Sequence, residues 1–357
     1  MFKKVLPILL ILHSFIADAN EAFLVWHSGS LCVTSSHENI AMESEDVSII
    51  FGENDYTVDG TFIFTNSGED TTVAIGFPMA FGGVLFDDEL FQNLGVPVQP
   101  RTWVSGVEVP FVPVSESIEY YDGSEEHKYL KEKAEIELFR NQMKSEEYRK
   151  KIPCLWGVTW YSKEVFFKKH ETVITRVNYK SKYGDNSGAL LAEYIYGSGK
   201  TWKGSIGKAT FRIQTSPDIW MVTFPRVPYS HKWFRESEYE YVLTLENFEP
   251  ADADSLQFGL SKTIVPYLLE GIFFWSETES EFIKFLTLCN EKQMAELKET
   301  IYDYQKDEEN WITDEINERF RLGERFLEYS KKMNYRYEID LTRIVEEIKE
   351  IQVETAQ

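Results

Sequence analysis

Cysteine, histidine and basic side chains are scarce in this sequence, and each shortage removes a class of function. The three cysteines, Cys32, Cys154 and Cys289, show no C-x-x-C spacing, so neither a zinc knuckle nor a dithiol redox motif is present. His13 lies near the N terminus, and no two of His27, His37, His127, His170 and His231 stand at i, i+3 or i, i+4, the helical spacings that aim two imidazoles at one metal. Lys and Arg number 37 against 59 Asp and Glu, a formal charge of −22. Such a surface repels phosphate backbones and anionic headgroups, so nucleic acid is a poor partner. No G-x-S-x-G nucleophile motif occurs, and no apolar run reaches the roughly 20 residues that span a bilayer as a helix. The apolar stretch at 264–275 carries Pro266, Glu270 and Gly271 and reads as buried core.

Two further motifs fall short on inspection. Gly197-Ser198-Gly199-Lys200-Thr201 resembles the end of a phosphate-binding loop, G-x-x-x-x-G-K-[ST], but the first glycine position is Tyr194. An extended run, not a helix, follows Trp202-Lys203-Gly204, and the helix N-terminus is half of what cradles a phosphate. A hairpin turn accounts for the glycines, and no nucleotide is expected. The acidic clusters Asp87-Asp88-Glu89 and Asp252 with Asp254 lack the loop pattern of a calcium site. They read as solvated turns, so neither metal nor cofactor is implied.

What is present begins with an export signal. Lys3 and Lys4 precede an apolar run from Val5 to Ile16, and Ala17-Asp18-Ala19 offers small residues where a signal peptidase reads. Residues 1–19 are therefore expected to be cleaved, leaving a soluble protein in the periplasm or outside the cell. Its formal charge would be about −23, since Lys3, Lys4 and Asp18 leave with the leader. Three buried free thiols are the plainer expectation there. If a disulfide forms, Cys32 and Cys154 are the pair, because both lie in the strand-rich part.

The remaining chain reads as mainly β: an antiparallel β-sandwich-type body over 20–276, with an inserted helix about 125–151 and an α-helical C-terminal region over 277–357. Between 45 and 73, β-branched and aromatic residues alternate between turn clusters, and strand continues over 71–77 until Pro78 stops it. Four prolines within 96–114 suit edge strands and a crossing loop. Tyr129, Ile136, Phe139 and Met143 fall at helical spacing, and Pro153 closes that segment. Strands follow at 157–161, 165–167, 172–179, 189–196, 204–214 and 239–248, with 219–233 as an irregular packed loop. In the tail, Phe282, Cys289, Met294, Leu297 and Ile301 mark one apolar helix face.

Exposed aromatics are the remaining candidates for a site. Trp160, Tyr194 and Trp202 lie in or beside strands, where a row of rings could stack on a sugar or grip a peptide; core packing uses the same residues. A catalytic pair cannot be picked from 59 acidic residues, since some pair will always lie at a suitable distance.

Several segments together resemble a bacterial family of exported proteins known only as a domain of unknown function. They are IAMESEDVSI at 40–49, TFIFTNSGEDTTVAIGFP at 61–78, the succession from Val173 to Tyr179 through Tyr194, WKGSIG at 202–207 and Phe211-Arg212-Ile213, and then ENFEP at 246–250. The likeness spans roughly 38–260 and implies an exported β-rich body with no assigned catalytic residue. Its motifs read as scaffold: Asn66 and Gly68 for a turn needing a left-handed residue, Gly204 and Gly207 for close approach beneath Trp202. The expectation is an exported, non-enzymatic binding or structural module of the cell envelope with an unknown protein or glycan partner. The alternatives are a carboxylate-dependent, glycosidase-like hydrolase, or an assembly factor docking a partner through its helical tail.

Overall fold

A computed structural model describes residues 22–27, 30–33, 37–84, 100–121, 128–152, 154–186, 189–223, 233–251, 254–262, 289, 291–305, 321, 328 and 337–338. The first strands are β1 (Ala22–His27), β2 (Ser30–Val33), β3 (Ile40–Phe51), β4 (Asp55–Asn66), β5 (Thr71–Val84), β6 (Arg101–Val104), β7 (Val107–Val109), β8 (Val112–Tyr121) and β9 (Lys128–Leu130). Helices α1 (Lys133–Gln142) and α2 (Glu146–Arg149) come next. Then follow β10 (Cys154–Phe167), β11 (Thr172–Lys182), β12 (Gly184–Asn186), β13 (Ala189–Ile195), a 3₁₀ turn (Gly197–Thr201), β14 (Ile206–Gln214), β15 (Trp220–Thr223) and β16 (Trp233–Ser237). β17 (Glu240–Phe248), β18 (Ser255–Ser261), α3 (Glu291–Gln305) and β19 (Tyr337–Glu338) complete the chain. The protein is mainly β. Its strands form a nine-stranded sheet ordered β19-β16-β17-β14-β3-β4-β11-β6-β7, a six-stranded sheet ordered β2-β1-β5-β10-β8-β9, and a four-stranded sheet ordered β12-β13-β18-β15. Among the described residues every pairing is antiparallel except β14 with β3.

Alternation writes this architecture. In β4 every second residue is buried, which turns Tyr56, Val58, Phe62 and Phe64 to one face; a strand's side chains repeat every two residues. In β3 the inward set begins on Ile40 and Met42 and resumes on Glu45, Val47, Ile49 and Phe51. A register shift between Met42 and Ser44 inserts the extra residue, so a β-bulge keeps both halves of the strand facing the core. The bulged backbone crowds β14: a Cβ on Gly207 would lie 2.6 Å from the Glu43 carbonyl oxygen. Gly207 thus serves a close approach, but to the backbone of β3 and not beneath Trp202 as expected. Gly204 differs. It has open space around it and φ of 65°, so its glycine serves backbone conformation.

All three sheets feed one core. The inner face of the nine-stranded sheet meets the six-stranded sheet through Phe64 on Phe167 (6.4 Å) and Tyr179 on Phe77 (5.4 Å). It meets the four-stranded sheet through Phe51 on Phe258 (5.1 Å) and Phe211 on Tyr194 (5.9 Å). Burying each such side chain is worth about 1.5–3 kcal/mol. A satellite cluster covers the end of the six-stranded sheet, where Ile118, Tyr120 and Leu155 pack under Ile136, Phe139 and Met143 of the insertion. Arg140 of α1 and Glu116 of β8 pair beside it.

Several expectations need correction. Pro78 lies inside β5, whose pairing with β10 runs on to Val84; the described pairing of β1 with β5 covers Ala74 to Gly76. The two strands expected at 157–161 and 165–167 are one strand, β10. The insertion holds two short helices, and Tyr129 stands exposed on β9 rather than on the helical face. The interval 219–233 contains β15, and β18 was not anticipated. The glycine-rich 197–201 segment is a 3₁₀ turn, held by the Asp254 carbonyl accepting from the Tyr196 and Gly197 amides at 3.0 Å each. Asn66 and Gly68 do not adopt left-handed φ. Asn66 closes the turn by its side chain, with Oδ1 accepting from Gly68 N at 2.9 Å and Nδ2 donating to Glu69 O at 2.8 Å, while a Cβ on Gly68 would strike Asn39 at 2.8 Å.

The tail is not helical throughout, because β19 pairs with β16. Cys289, Met294 and Leu297 are buried, and Gln293 Nε2 donates to the Ile219 carbonyl at 2.9 Å, so the described helix docks on the body. Cys32 and Cys154 cannot bond to each other. Through the β1–β5–β10 registers Cys32 lies level with Val165, eleven residues along β10 from Cys154. At about 3.3 Å per residue that is about 35 Å, against a limit of about 7 Å between bonded Cα atoms. Cys289 is a free, buried thiol. No helix among the described residues is long and apolar enough to cross a membrane, which says nothing of strands. The leader 1–19, the stretch 264–275, Asp87-Asp88-Glu89, Asp252 and most of the tail beyond 305 lie outside the described residues.

Trp202 packs on Phe64 at 4.6 Å and is 1% exposed, so Trp202→Ala is expected to cost about 3–5 kcal/mol, read by urea unfolding. Gly207→Ala should destabilise more than Gly68→Ala, since backbone yields less readily than a surface Asn side chain. The reverse order would refute the bulge contact as the constraint.

Candidate functional site

The three aromatics proposed as a platform do not come together on the surface. Alternation places Tyr194 with Ala192 and Tyr196 on the inner side of β13, where the Tyr194 hydroxyl donates to Glu45 Oε1 at 2.7 Å. Tyr194 is 0% exposed. Trp202 is buried against Phe64, and Trp160 is half-buried in the six-stranded sheet opposite Pro78 and Ser115. Both Tyr194 and Trp202 serve the core and are out of reach of any ligand, which corrects the expectation of a row.

The surface aromatic that matters is Trp103. β6 and β7 form a two-residue hairpin in which Val104 pairs with Val107. The turn residues Ser105 and Gly106 have φ of 49° and 82°, the positive pair of a type I′ turn that matches strand twist. Ser105 N donates to the Ile174 carbonyl at 2.7 Å, fixing the hairpin to β11. The side chains then alternate. Thr102 turns inward, donating to the Arg176 carbonyl at 2.8 Å and accepting from the buried Lys163 Nζ at 2.8 Å. Trp103 turns outward, half-buried, directly opposite Arg176.

Two guanidinium groups lie over this indole, Arg101 at 5.0 Å and Arg176 at 4.9 Å from the ring centroid. Each is forked onto a carboxylate. Arg101 donates to Glu108 at 2.9 and 2.7 Å. Arg176 donates through Nε to Asp59 Oδ1 at 2.8 Å and through Nη2 to Oδ2, and Asn178 Nδ2 adds a bond to Asp59 at 3.0 Å. The hydrogen bonds from Arg101 hold the Glu108 carboxyl below the usual glutamate range, and the bond to Asp59 raises the Arg176 guanidinium. Further along the same face Arg212 donates twice to Asp46, at 2.8 and 2.9 Å. Ile174 (48% exposed), Ile50 (45%) and Phe234 (43%) stand in the open on these strands. Around this indole the outer face of the nine-stranded sheet thus carries paired charges and hydrogen-bonding groups; further along β11, Lys180 and Lys182 share Asp55.

Titration is perturbed elsewhere. Burial pushes the Glu116 carboxyl above its usual range, against the opposing charge of Arg140. The Tyr161 phenol is raised by burial and then by Glu116. Glu193 is also raised by burial, while Gln257 Nε2 donates to it at 2.8 Å. Glu116 and Glu193 belong to different sheets, and the geometry does not bring them together as an acid–base pair. Among the described residues no three His, Cys, Asp or Glu side chains converge as metal ligands.

Sequence reasoning missed Trp103 because the prolines of 96–114 dominated that segment. The signal was present: Trp-Val-Ser-Gly-Val-Glu-Val sets a Ser-Gly turn between alternating residues. Gly106 has open space around it, so Gly106→Ala is expected to cost about 1–2 kcal/mol through φ alone, read by thermal unfolding. The raised Glu116 binds its proton more tightly folded than unfolded, so its contribution is full at acid pH and is lost as pH rises through the folded value. Glu116→Gln should therefore raise stability at neutral pH and lessen its decline from acid; a lower melting temperature there would mean the Arg140 pair outweighs burial.

No protein-family model matches the chain, and no curated protein matches it in sequence. Among solved structures, a protein of Legionella pneumophila provisionally named a nutrient binding protein aligns with 94% of this chain and 98% of its own, at 16% identity and TM-score 0.45. A two-domain M1 zinc metallopeptidase mutant bound to L-tryptophan aligns with 64% of this chain and 44% of its own, at 11% identity and TM-score 0.29. The M1 zinc metallopeptidase of Deinococcus radiodurans aligns over the same shares at 11% identity and TM-score 0.28. At such scores these likenesses transfer neither a fold nor an activity.

Proposed function

We propose that this chain is a non-enzymatic binding module of the cell envelope, exported to the periplasm or beyond the cell, and kin to the exported family its motif order resembles. The observation that supports this reading is the open outer face of the nine-stranded sheet, where Trp103 stands among Arg101, Arg176, Asp59, Glu108 and Asn178. A half-exposed indole ringed by satisfied polar groups gives up little hydration on contact and offers both an apolar plate and directional bonds. The type I′ turn and the Thr102 bonds hold it on strands rather than on a loop, so little ordering entropy is lost on binding. The Lys pair and Ala-x-Ala of residues 1–19 support export.

Sedimentation of the purified mature protein with washed envelope fragments tests the reading. Wild type should co-sediment, and Trp103→Ala should lose at least tenfold in apparent affinity with its melting temperature changed by no more than a few degrees. Undiminished binding by the variant would count against this face. Recovery of the native product with residues 1–19 intact in the cytosol would refute export.

A further inference from the structure

The chemistry of the Trp103 face narrows its ligand, on the reading that this face is the binding surface. Every arginine named on it is already neutralised: Arg101 by Glu108, Arg176 by Asp59, and Arg212 by Asp46. The groups around the indole therefore cancel in charge; further along β11, Lys180 and Lys182 share the single carboxylate of Asp55, within a chain of formal charge −22. An anionic polymer would be repelled by the whole and would find no unpaired cation beside the indole. A cationic partner would have to pull Asp59 or Glu108 from an arginine that binds it through two hydrogen bonds. An apolar helix face would strip water from six charged groups.

A neutral polyol meets none of these obstacles. Its hydroxyls can both donate and accept. Asp59 and Glu108 carry lone pairs beyond those their arginines use, and the Arg101 and Arg176 forks carry further N–H donors. The indole supplies the flat apolar plate that the C–H face of a pyranose ring covers. Arg101 is the displaceable element. Its side chain is 61% exposed, and an exposed cation–π contact is weak, so a sugar ring can replace it over the indole. Arg176 is held more firmly, by Asp59 in the adjacent strand and beside the Asn178 bond.

We propose that the outer face of the nine-stranded sheet is a platform for a neutral polysaccharide chain, with Trp103 as the stacking residue and Asp59, Asn178 and Arg176 as its hydrogen-bonding flank. Native affinity gels of the full-length mature protein test this with four embedded probes: hydroxyethyl cellulose, glycol chitin and dextran as neutral chains, and carboxymethyl cellulose as an anionic chain on the cellulose backbone. At least one neutral polymer should retard the protein and carboxymethyl cellulose should not. Trp103→Ala should abolish the retardation, and Asp59→Asn should weaken it about threefold or more, with circular dichroism unchanged in both.

Retardation by carboxymethyl cellulose equal to that by the neutral chains would overturn the proposal. So would retardation that survives Trp103→Ala, or none by any neutral polymer. The envelope assay keeps the two ideas apart. If Trp103→Ala loses envelope binding while no neutral polymer retards the wild type, the face is a binding surface for something other than a neutral glycan. If the variant keeps envelope binding, the surface itself is wrong.

Discussion

One apolar face, the inner side of the nine-stranded sheet, is shared between two smaller sheets, and the rest of the molecule is arranged around that sharing. A single covering sheet would make a simple sandwich. Here the six-stranded sheet takes the part under β4 and β11, through Phe64–Phe167 and Tyr179–Phe77. The four-stranded sheet takes the part under β3 and β14, through Phe51–Phe258 and Phe211–Tyr194. Trp202 lies against Phe64 in the same cluster. With the inner face committed among the described residues, the opposite face, with Ile174, Ile50 and Phe234 exposed, is the one left to water. The polar ladder around Trp103 follows from that constraint as much as from any ligand.

The bulge at Glu43 shows what such sharing requires locally. Ile40 and Met42 lie an odd number of residues from Glu45, Val47, Ile49 and Phe51, so one unbroken alternation could not turn both sets onto the core. The inserted residue resets the phase, and Gly207 gives the displaced backbone room. The sequence therefore carries a glycine whose reason lies in another strand.

Much of the body was legible where burial on one face imposes strict alternation, as in β4 and β11. The insertion was legible through Ile136, Phe139 and Met143, though Tyr129 fell in step with them by chance and belongs to a strand. Pro78 misled because a residue without an N–H can still continue a strand when its pairing with one neighbour, here β10, is kept. Leu256, Phe258 and Leu260 alternate well enough to reveal β18, but they run toward the apolar 264–275 stretch and lost their contrast. The site fared worse. Trp160, Tyr194, Trp202 and Trp103 all sit in or next to strands, and residue type does not distinguish the side of a sheet that faces water. Strand parity within the tertiary arrangement decides it, and a lone half-exposed indole leaves no periodic mark.

The parallel contact between β3 and β14 joins segments about 160 residues apart. β3 and β4 make a hairpin from adjacent residues, and Phe167 of β10 reaches the β4 side of it, but the β3 side waits for Phe258 in the second half of the polypeptide. Assembly is consequently late and slow, with a long interval in which unpaired strands are vulnerable to sticking together. A chain built this way gains from being kept unfolded by a holdase until its synthesis is finished.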